Sequence, residues 1–210
     1  MIKVHHLNNS RSHRVLWLLE EIGAPYEIVH YKRDAVTRLA PPELKKIHPL
    51  GKSPVVTDGD RVVAESGAII EYLTKTHGKK TKLWPEDFGP HWIAHTHWMH
   101  FAEGSAMLPF LMALYASLLG ENAAPLRPRI ESEIANHLAY MEGALAKQDY
   151  FAGPDFTAAD IQMSFVLEVA DNSGRLKDLP RLAALIKRLR DRPAYKRAIE
   201  KGGPLELMRR

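Results

Sequence analysis

The sequence contains no cysteine in its 210 residues. Neither a disulfide nor a cysteine-ligated metal can therefore hold the fold together. The chain also lacks a thiol nucleophile of its own, so any sulfur chemistry must arrive with a substrate. It has no continuous apolar run of about 18 residues, and its first residues lack the apolar segment of a signal peptide. We expect a cytoplasmic protein with no membrane-inserted segment.

The composition is otherwise that of an ordinary globular chain, with 45% hydrophobic and 26% charged residues. Its length allows one large domain or two modest ones. The net charge of +4 is concentrated at the end, because residues 175–210 hold 12 Lys or Arg and 4 Asp or Glu. Leucines at 182, 185 and 189 keep helical spacing through this region, which indicates the solvent face of packed helices rather than a nucleic-acid partner.

The first thirty residues have the pattern of a strand, a helix and a second strand. The segments are Lys3–Leu7, Arg11–Ile22 and Tyr26–Tyr31, and the helix has a broad apolar surface. This order predicts a right-handed parallel βαβ unit. A short helix over Pro41–Ile47 follows, with prolines at its start.

The segment 51–73 reads GKSPVVTDGDRVVAESGAIIEYL. An Asp-Gly turn between two short apolar runs predicts a β-hairpin, and Pro54 opens its first strand. A proline at this position removes a ladder donor and is often cis where the chain turns tightly. Ser66 is suited to be the N-cap of the helix that follows, which we expect to reach about Thr76.

The rest of the chain predicts helices and no strands. We expect domains over 1–78 and 89–210, joined by a linker over 79–88. Pro109 is expected to kink or divide a long helix over Trp92–Leu118. Thr157 and Asp160 have the spacing of a capping box, so Asp160 is interpreted as a helix cap rather than a catalytic acid. The other helices are expected over Pro128–Ala146, Ile161–Ala170, Pro180–Arg190 and Pro193–Lys201.

The start of the helix after the hairpin favours anion binding. A helix N-terminus offers unpaired N–H groups and a partial positive charge, which suit a carboxylate. Glu65, one residue earlier, could hold an ammonium beside it, and the pair would fit the head of an α-amino acid. The alternative is that Ser66 only caps the helix and Glu65 is a surface charge.

A second candidate site lies where the first strand ends, at Asn8-Asn9-Ser10. A thiolate there would meet the N-terminus of the next helix and a hydroxyl donor, both of which lower a thiol pKa. Ser10 is our choice of donor, Asn9 is its rival, and Ser12 is disfavoured because it lies inside the first turn. The alternative is that Ser10 only caps the helix.

The stretches HPLGKSPVV and AESGAIIEYL resemble the thioredoxin-like domain of the glutathione S-transferase superfamily. The resemblance covers essentially the whole chain and is closest to serine-type members, like the cytosolic ones of bacteria and fungi. It implies an α/β thioredoxin-like N-terminal domain, ordered βαβ-α-ββα, and an all-α C-terminal domain.

The resemblance also implies roles for residues of the first domain. Ser10, or Asn9 in its place, would stabilise the glutathione thiolate. Lys52, with His48 nearby, would pair with the glycyl carboxylate, and the backbone of Ser53 would pair with the cysteinyl part. Pro54, Glu65 and Ser66 would complete the glutathione site.

For the helical domain the resemblance implies a pocket for an electrophile, lined by Trp98, Phe101 and Met107. Glu103 would reach across a homodimer to the peptide's ammonium. A cluster of histidines in this region suggests a metal site. No H-E-x-x-H pattern is present, so we predict no metal site there. The histidines are His91, His95, His97 and His100.

The sequence thus predicts a glutathione transferase that uses glutathione as co-substrate, needs no metal and serves detoxification. Two alternatives stay open. One is a glutathione-dependent disulfide reductase or peroxidase, which Asn9 as main donor would favour. The other is a non-catalytic binding module that keeps the fold.

Overall fold

The computed structural model describes residues 1–207, and they form two compact units. The first comprises Met1–Pro85 together with the described residues from Arg188 to Leu207, and the second comprises Glu86–Lys187. The predicted domain bounds of 1–78 and 89–210 stay a prediction, and residues 208–210 of that second range lie outside the described residues.

The first unit contains a four-stranded mixed sheet in the order β2-β1-β3-β4. β1 and β2 are parallel, which confirms the predicted βαβ unit, while β3 is antiparallel to both β1 and β4. The Asp-Gly turn joins β3 to β4 as a hairpin. The strands are β1 (Ile2–Leu7), β2 (Tyr26–Tyr31), β3 (Val55–Asp58) and β4 (Arg61–Ala64).

Eight α-helices account for most of the remaining described residues. A 3₁₀ turn over Pro42–Lys46 stands where the sequence predicts a short helix, and another covers Gly120–Ala123. The helices are α1 (Ser12–Ile22), α2 (Ser66–His77), α3 (Trp92–Phe101), α4 (Met107–Leu118), α5 (Arg127–Ala144), α6 (Ala158–Asn172), α7 (Pro180–Arg190) and α8 (Pro193–Gly202). The predicted fold class, a thioredoxin-like domain followed by helices, is confirmed.

Helix α8 packs on α1 within the first unit. The ring of Tyr195 meets the ring of Trp17 edge to face, with centroids 5.2 Å apart. At the far end of α1, Glu20 pairs with Arg197 and Lys201 of α8. The basic residues of α8 are thus partly matched by acidic residues of α1, in addition to facing solvent.

Helix α6 is the core of the second unit, because every residue from Ala158 to Ala170 is buried. Its capping box is confirmed. The Asp160 carboxylate accepts the N–H of Thr157 at 2.8 Å and the N–H of Phe151 at 2.9 Å, while the Thr157 hydroxyl accepts the Ala159 N–H at 3.3 Å.

The predicted division of the long helix at Pro109 is wrong in position. The interruption is a π-helical turn over Ala102–Ala106, and Pro109 lies in the first turn of α4 just beyond it. Proline cannot donate a backbone N–H, and the wider turn upstream rearranges the ladder that this N–H would have joined. By length and composition alone, the continuous run Trp92–Leu118 could cross a membrane, although the core helix of a soluble protein passes the same test.

Candidate glutathione site in the first unit

The strand pairing brings three predicted site segments to one end of the sheet. His5 near the end of β1 pairs with Val55 at the start of β3, and Val55 pairs with Ala64 at the end of β4. The loop after β1, the residue before β3 and the residue after β4 therefore lie at the same end of the sheet. They carry Ser10, Pro54 and Glu65 respectively.

The Ser10 side chain is only 4% exposed and lies just before α1. Its oxygen accepts the Ser12 N–H at 3.2 Å and lies 2.7 Å from the Ser12 hydroxyl oxygen. The Ser12 hydroxyl in turn lies 2.8 Å from Nδ1 of His6. Ser10 thus satisfies a backbone donor at the start of α1, as a cap would, and also joins a buried chain of side chains.

Asn9 has a different environment. Its φ of 51° puts it in the left-handed region, which asparagine tolerates better than most residues. Its side-chain oxygen accepts the Glu206 N–H at 2.8 Å, and its carbonyl oxygen accepts a hydrogen bond from Arg33 at 3.3 Å. These bonds tie Asn9 to the loop after β2 and to the segment beyond α8.

The start of α2 differs from the prediction for Ser66. The helix begins at Ser66, so Glu65 is the N-cap residue, and Glu65 makes no side-chain capping hydrogen bond within the described chain. The predicted N-cap is therefore wrong by one residue. Because Glu65 takes the non-helical conformation, the Ser66 N–H belongs to the first turn, where N–H groups point out of the helix start.

Glu65 has φ 68° and ψ 122°, and its side chain is exposed. A residue other than glycine in this region costs about 1–3 kcal/mol, and such residues cluster at ligand-binding sites. The surrounding structure must therefore impose this backbone conformation on Glu65, and the conformation fixes the direction in which its side chain leaves the backbone.

Arg14 links the two helix N-termini. It is fully buried, and its guanidinium donates to the Ser66 hydroxyl at 3.3 Å. This contact joins the first turn of α1 to the first residue of α2. It also puts a positive charge beside the partial positive charges of two helix N-termini, which strengthens the attraction of this end of the sheet for an anion.

A tight turn precedes β3 and orients Lys52 and Ser53. The Gly51 N–H bonds to the His48 carbonyl at 2.8 Å. Gly51 has φ 58°, and a Cβ there would lie 2.7 Å from Cγ of Lys45, so the position requires glycine. The Lys52 side chain is exposed, while the Ser53 hydroxyl donates to the His5 carbonyl at 2.8 Å. The bond between Ser53 and Pro54 is cis.

The predicted pocket residues of the second unit belong to a cluster of rings. Trp98 lies 4.6 Å from Phe151 and 5.1 Å from Phe101 between ring centroids. Trp98 and Met107 are 4% and 5% exposed, so packing within the unit accounts for most of their surface. Their role in a pocket stays a prediction.

Glu103 lies in the π-helical turn and is half-buried. Of the four histidines nearby, His95 is fully buried, and His97 bonds the Tyr140 hydroxyl at 3.1 Å and stacks on Phe101. Within residues 1–207, the structure contains no group of three or more His, Cys, Asp or Glu residues that could hold a metal ion.

Sequence reasoning missed His6 and Arg14 and disfavoured Ser12. His6 is half of a His-His pair in a strand, and its strand position alone does not reveal that α1 covers it. Arg14 sits among apolar residues of α1, where a charged residue in an otherwise buried run was the available signal.

The chain thus belongs to a class of two-domain proteins. Their first domain has a thioredoxin-like sheet with two helix N-termini at one end, and their second domain is helical. Within that class, the chain matches the family models "Glutathione S-transferase, N-terminal domain" over residues 1–75 and "Glutathione S-transferase, C-terminal domain" over residues 124–188. The chain belongs to the glutathione S-transferase family.

Individual relatives agree with this assignment. The chain is 38% identical to glutathione S-transferase 3 of Schizosaccharomyces pombe, covering 96% of this chain and 88% of the relative. It is 33% identical to glutathione S-transferase 1 of Saccharomyces cerevisiae, covering 98% and 97%. A crystal structure of a glutathione S-transferase from Actinobacillus pleuropneumoniae matches with a TM-score of 0.90 at 33% identity, covering 100% of this chain and 97% of the other.

Proposed function

We propose that the chain is a glutathione S-transferase that binds glutathione at the end of the sheet where β1 and β4 end. The observation that carries this proposal is the convergence there of Ser10, Pro54, Glu65 and the N-termini of two helices. The two family models and the full-length relatives support the same activity.

Ser10 is the proposed donor to the glutathione sulfur. An unperturbed thiol has a pKa of about 8.5, so only a few per cent is ionised at neutral pH. Each unit of pKa lowering takes about 1.4 kcal/mol of preferential stabilisation of the thiolate. A hydroxyl hydrogen bond together with the N-terminus of α1 supplies stabilisation of this size. Asn9 is the weaker candidate, because the hydrogen bond from the Glu206 N–H to its side-chain oxygen holds that side chain toward the segment beyond α8.

The rest of the glutathione tripeptide would extend across the same end of the sheet. Glu65 would hold the α-ammonium, and the first turn of α2 at Ser66 the adjacent carboxylate. The backbone of Ser53 would pair with the cysteinyl part in β fashion. Lys52, whose side chain is free to reach solvent, would pair with the glycyl carboxylate together with His48.

The second substrate is a small electrophile, which the thiolate attacks at carbon or sulfur, so the enzyme would serve detoxification in the cytoplasm. Trp98, Phe101 and Met107 are proposed for its pocket. A homodimer in which Glu103 of one protomer reaches the other's peptide follows from the family and from the prevalence of twofold oligomers. The exposed apolar residues of α3 and α4 are consistent with a covered surface on the second unit.

Titration calorimetry with glutathione, followed by assay with a chlorinated aromatic electrophile, tests this function. We expect saturable binding and turnover. Absence of binding at millimolar glutathione by folded protein would contradict the proposal. Turnover only with organic disulfides or hydroperoxides would favour a reductase or peroxidase, and binding without turnover in any of these assays would favour a binding module.

A further inference from the structure

A continuous chain of hydrogen bonds runs from Ser10 to the end of α8. The Ser10 and Ser12 hydroxyl oxygens are 2.7 Å apart, and Ser12 Oγ is 2.8 Å from His6 Nδ1. His6 Nε2 lies 2.9 Å from the carbonyl oxygen of Gly202. Ser10, Ser12 and His6 are at most 4% exposed, and the bond to the Gly202 carbonyl is partly buried.

The chemistry of the chain's ends fixes its direction. A carbonyl oxygen only accepts, so Nε2 of His6 must carry a hydrogen and donate it to Gly202. In a neutral imidazole Nδ1 is then an acceptor. The Ser12 hydroxyl also lies 3.2 Å from the Leu7 carbonyl oxygen, and it directs its single hydrogen to the nearer Nδ1 at 2.8 Å. Ser12 Oγ is left as an acceptor, so the Ser10 hydroxyl donates to Ser12. In the free protein the Ser10 hydrogen is directed inward.

We propose that His6 and Ser12 are positioning residues that reverse this chain when glutathione binds, with the His6 imidazole taking up the proton that leaves the thiol. This inference rests on the proposed function of Ser10. The thiol passes its proton to Ser10 Oγ, Ser10 passes its hydrogen to Ser12, and Ser12 passes its own to Nδ1 of His6. A neutral thiol and a neutral imidazole become a thiolate and an imidazolium.

The product of this shift is the arrangement that the thiolate needs. Ser10 now donates to the sulfur, and its oxygen accepts from the Ser12 hydroxyl. Ser12 accepts from the His6 imidazolium, whose other N–H remains on the Gly202 carbonyl. Without a proton acceptor behind it, the Ser10 hydroxyl would have to give up its bond to Ser12 in order to face the sulfur. Ser12 Oγ would then keep only the Leu7 N–H, at 3.3 Å, as a donor.

The surroundings of His6 keep it neutral in the free protein, as an acceptor must be. Burial lowers the pKa of His6, the hydrogen bond to Gly202 raises it, and the charge of His30 on β2 lowers it. His13 on α1 is the other titratable group whose charge interacts with His6, and burial lowers its own pKa to about 3. His13 therefore stays uncharged at neutral pH. The burial that lowers the pKa of His6 opposes the imidazolium, so protonation of His6 requires the negative charge of the bound thiolate to offset it.

Gly202 is shaped for this contact. A Cβ added there would lie 2.5 Å from Cδ1 of Leu16 and 3.3 Å from Nε2 of His6. The close approach of backbone to imidazole holds the ring in the orientation that aims Nδ1 at Ser12.

The test compares wild type with His6→Gln and Ser12→Ala, and with His77→Gln as a control histidine that is bonded to Asp58 at 2.7 Å on another element. Ultraviolet absorbance of the thiolate in the glutathione complex, measured against pH, gives the pKa of the bound thiol. We expect both variants to raise it by about one unit or more, a tenfold loss of thiolate at neutral pH. Glutathione affinity measured at low pH should change less than about twofold, because neither residue contacts the peptide. The control should match wild type.

The His6→Gln variant separates the proton from the hydrogen bond. The glutamine oxygen can still accept from Ser12 but cannot take up a proton, so a merely structural role would leave the thiol pKa and the pH profile of kcat/KM unchanged. An unchanged thiol pKa in both folded variants overturns the inference while leaving the proposed function intact. If wild type itself forms no thiolate with glutathione, both fall.

Nitrogen NMR of wild type decides the matter even where the variants fail to fold. His6 should be the neutral Nε2–H tautomer in the free protein and become doubly protonated in the glutathione complex at neutral pH. A His6 that stays neutral in a complex containing thiolate would overturn the inference.

Discussion

Ser10 and Asn9 are adjacent in the loop after β1, yet their side chains have different surroundings. Ser10 is joined through Ser12 to the buried His6, whereas the Asn9 side chain bonds the segment beyond α8. A donor to an incoming sulfur must be held at the start of α1, and Ser10 meets that condition. The residues themselves were visible in the sequence, but their partners lie up to about two hundred positions away and were not.

Replacing Ser10→Ala should lower kcat by about 10²–10³-fold while changing glutathione affinity little, because the hydroxyl acts on the thiolate rather than on the bound peptide. Steady-state kinetics with calorimetry measure the two quantities separately. Asn9→Ala is the matched comparison. A larger loss of kcat in Asn9→Ala than in Ser10→Ala would transfer the role to Asn9.

Glu65 combines an exposed carboxylate with a backbone conformation that a non-glycine residue seldom adopts. Glu65→Ala should weaken glutathione binding by about tenfold or more, because a charged hydrogen bond contributes roughly 1.5–3 kcal/mol. Calorimetry gives the affinity, and Glu71→Ala, an exposed glutamate paired with Lys75 on the same helix, is the control. Equal affinities in the two variants would remove Glu65 from the site.

At the scale of elements, the capping box of α6 couples helix stability to pH. Burial raises the pKa of Asp160 to about 6, although hydrogen bonds from Phe151 and Thr157 oppose the rise. The folded state therefore binds a proton more tightly than the unfolded state, whose Asp has a pKa near 3.8. The contribution of Asp160 to stability is fully present below that pH and is lost as pH rises through about 6.

We expect Asp160→Ala to lower the free energy of unfolding by about 1–3 kcal/mol, since it leaves buried N–H groups without an acceptor. The deficit should be larger at pH 4 than at pH 7, and turnover per folded molecule should be unchanged. Denaturant unfolding at the two pH values measures it, with the exposed Asp155→Ala as control. A deficit that grows with pH would contradict the assigned direction.

The sequence was most informative about elements whose signal is local. Both β1 and β2 were predicted within one residue, and the capping box at Thr157 was read from spacing alone. It was less informative where neighbouring turns decide. Pro109 could not show that a π-helical turn upstream would accommodate it, and Ser66 could not show that the chain takes its non-helical turn at Glu65 instead.

At the scale of the molecule, the first compact unit is discontinuous in sequence. The tail charge was predicted to face solvent, but Glu20 gathers hydrogen bonds from Arg197, Lys201 and Tyr26. Burial would raise the pKa of Glu20, and these hydrogen bonds outweigh it and lower the pKa to about 2. The periodic leucines indicated that α7 is a packed helix, whereas α8 was predicted only as a helix and its packing on α1 could not be predicted.

Glu20→Ala should destabilise the protein by about 1 kcal/mol, a modest value because Arg197 and Lys201 are half exposed. The stabilisation from Glu20 is present above the unfolded pKa near 4.5 and is lost as pH falls toward 2, so the deficit should shrink in acid. Thermal unfolding measures it. Glu131→Ala, which breaks a more exposed pair with Arg175, should cost less, and an equal cost would contradict a special role for the α1–α8 contact.

Packing of α8 on α1 has a consequence for how the protein is made. A ribosome releases Ser12–Ile22 early and Pro193–Gly202 almost last. Helix α1 therefore remains without α8, the helix that packs on it, through most of translation. Until then Trp17, fully buried in the finished protein, lacks the Tyr195 ring that packs against it, and chaperones have an apolar surface to recognise.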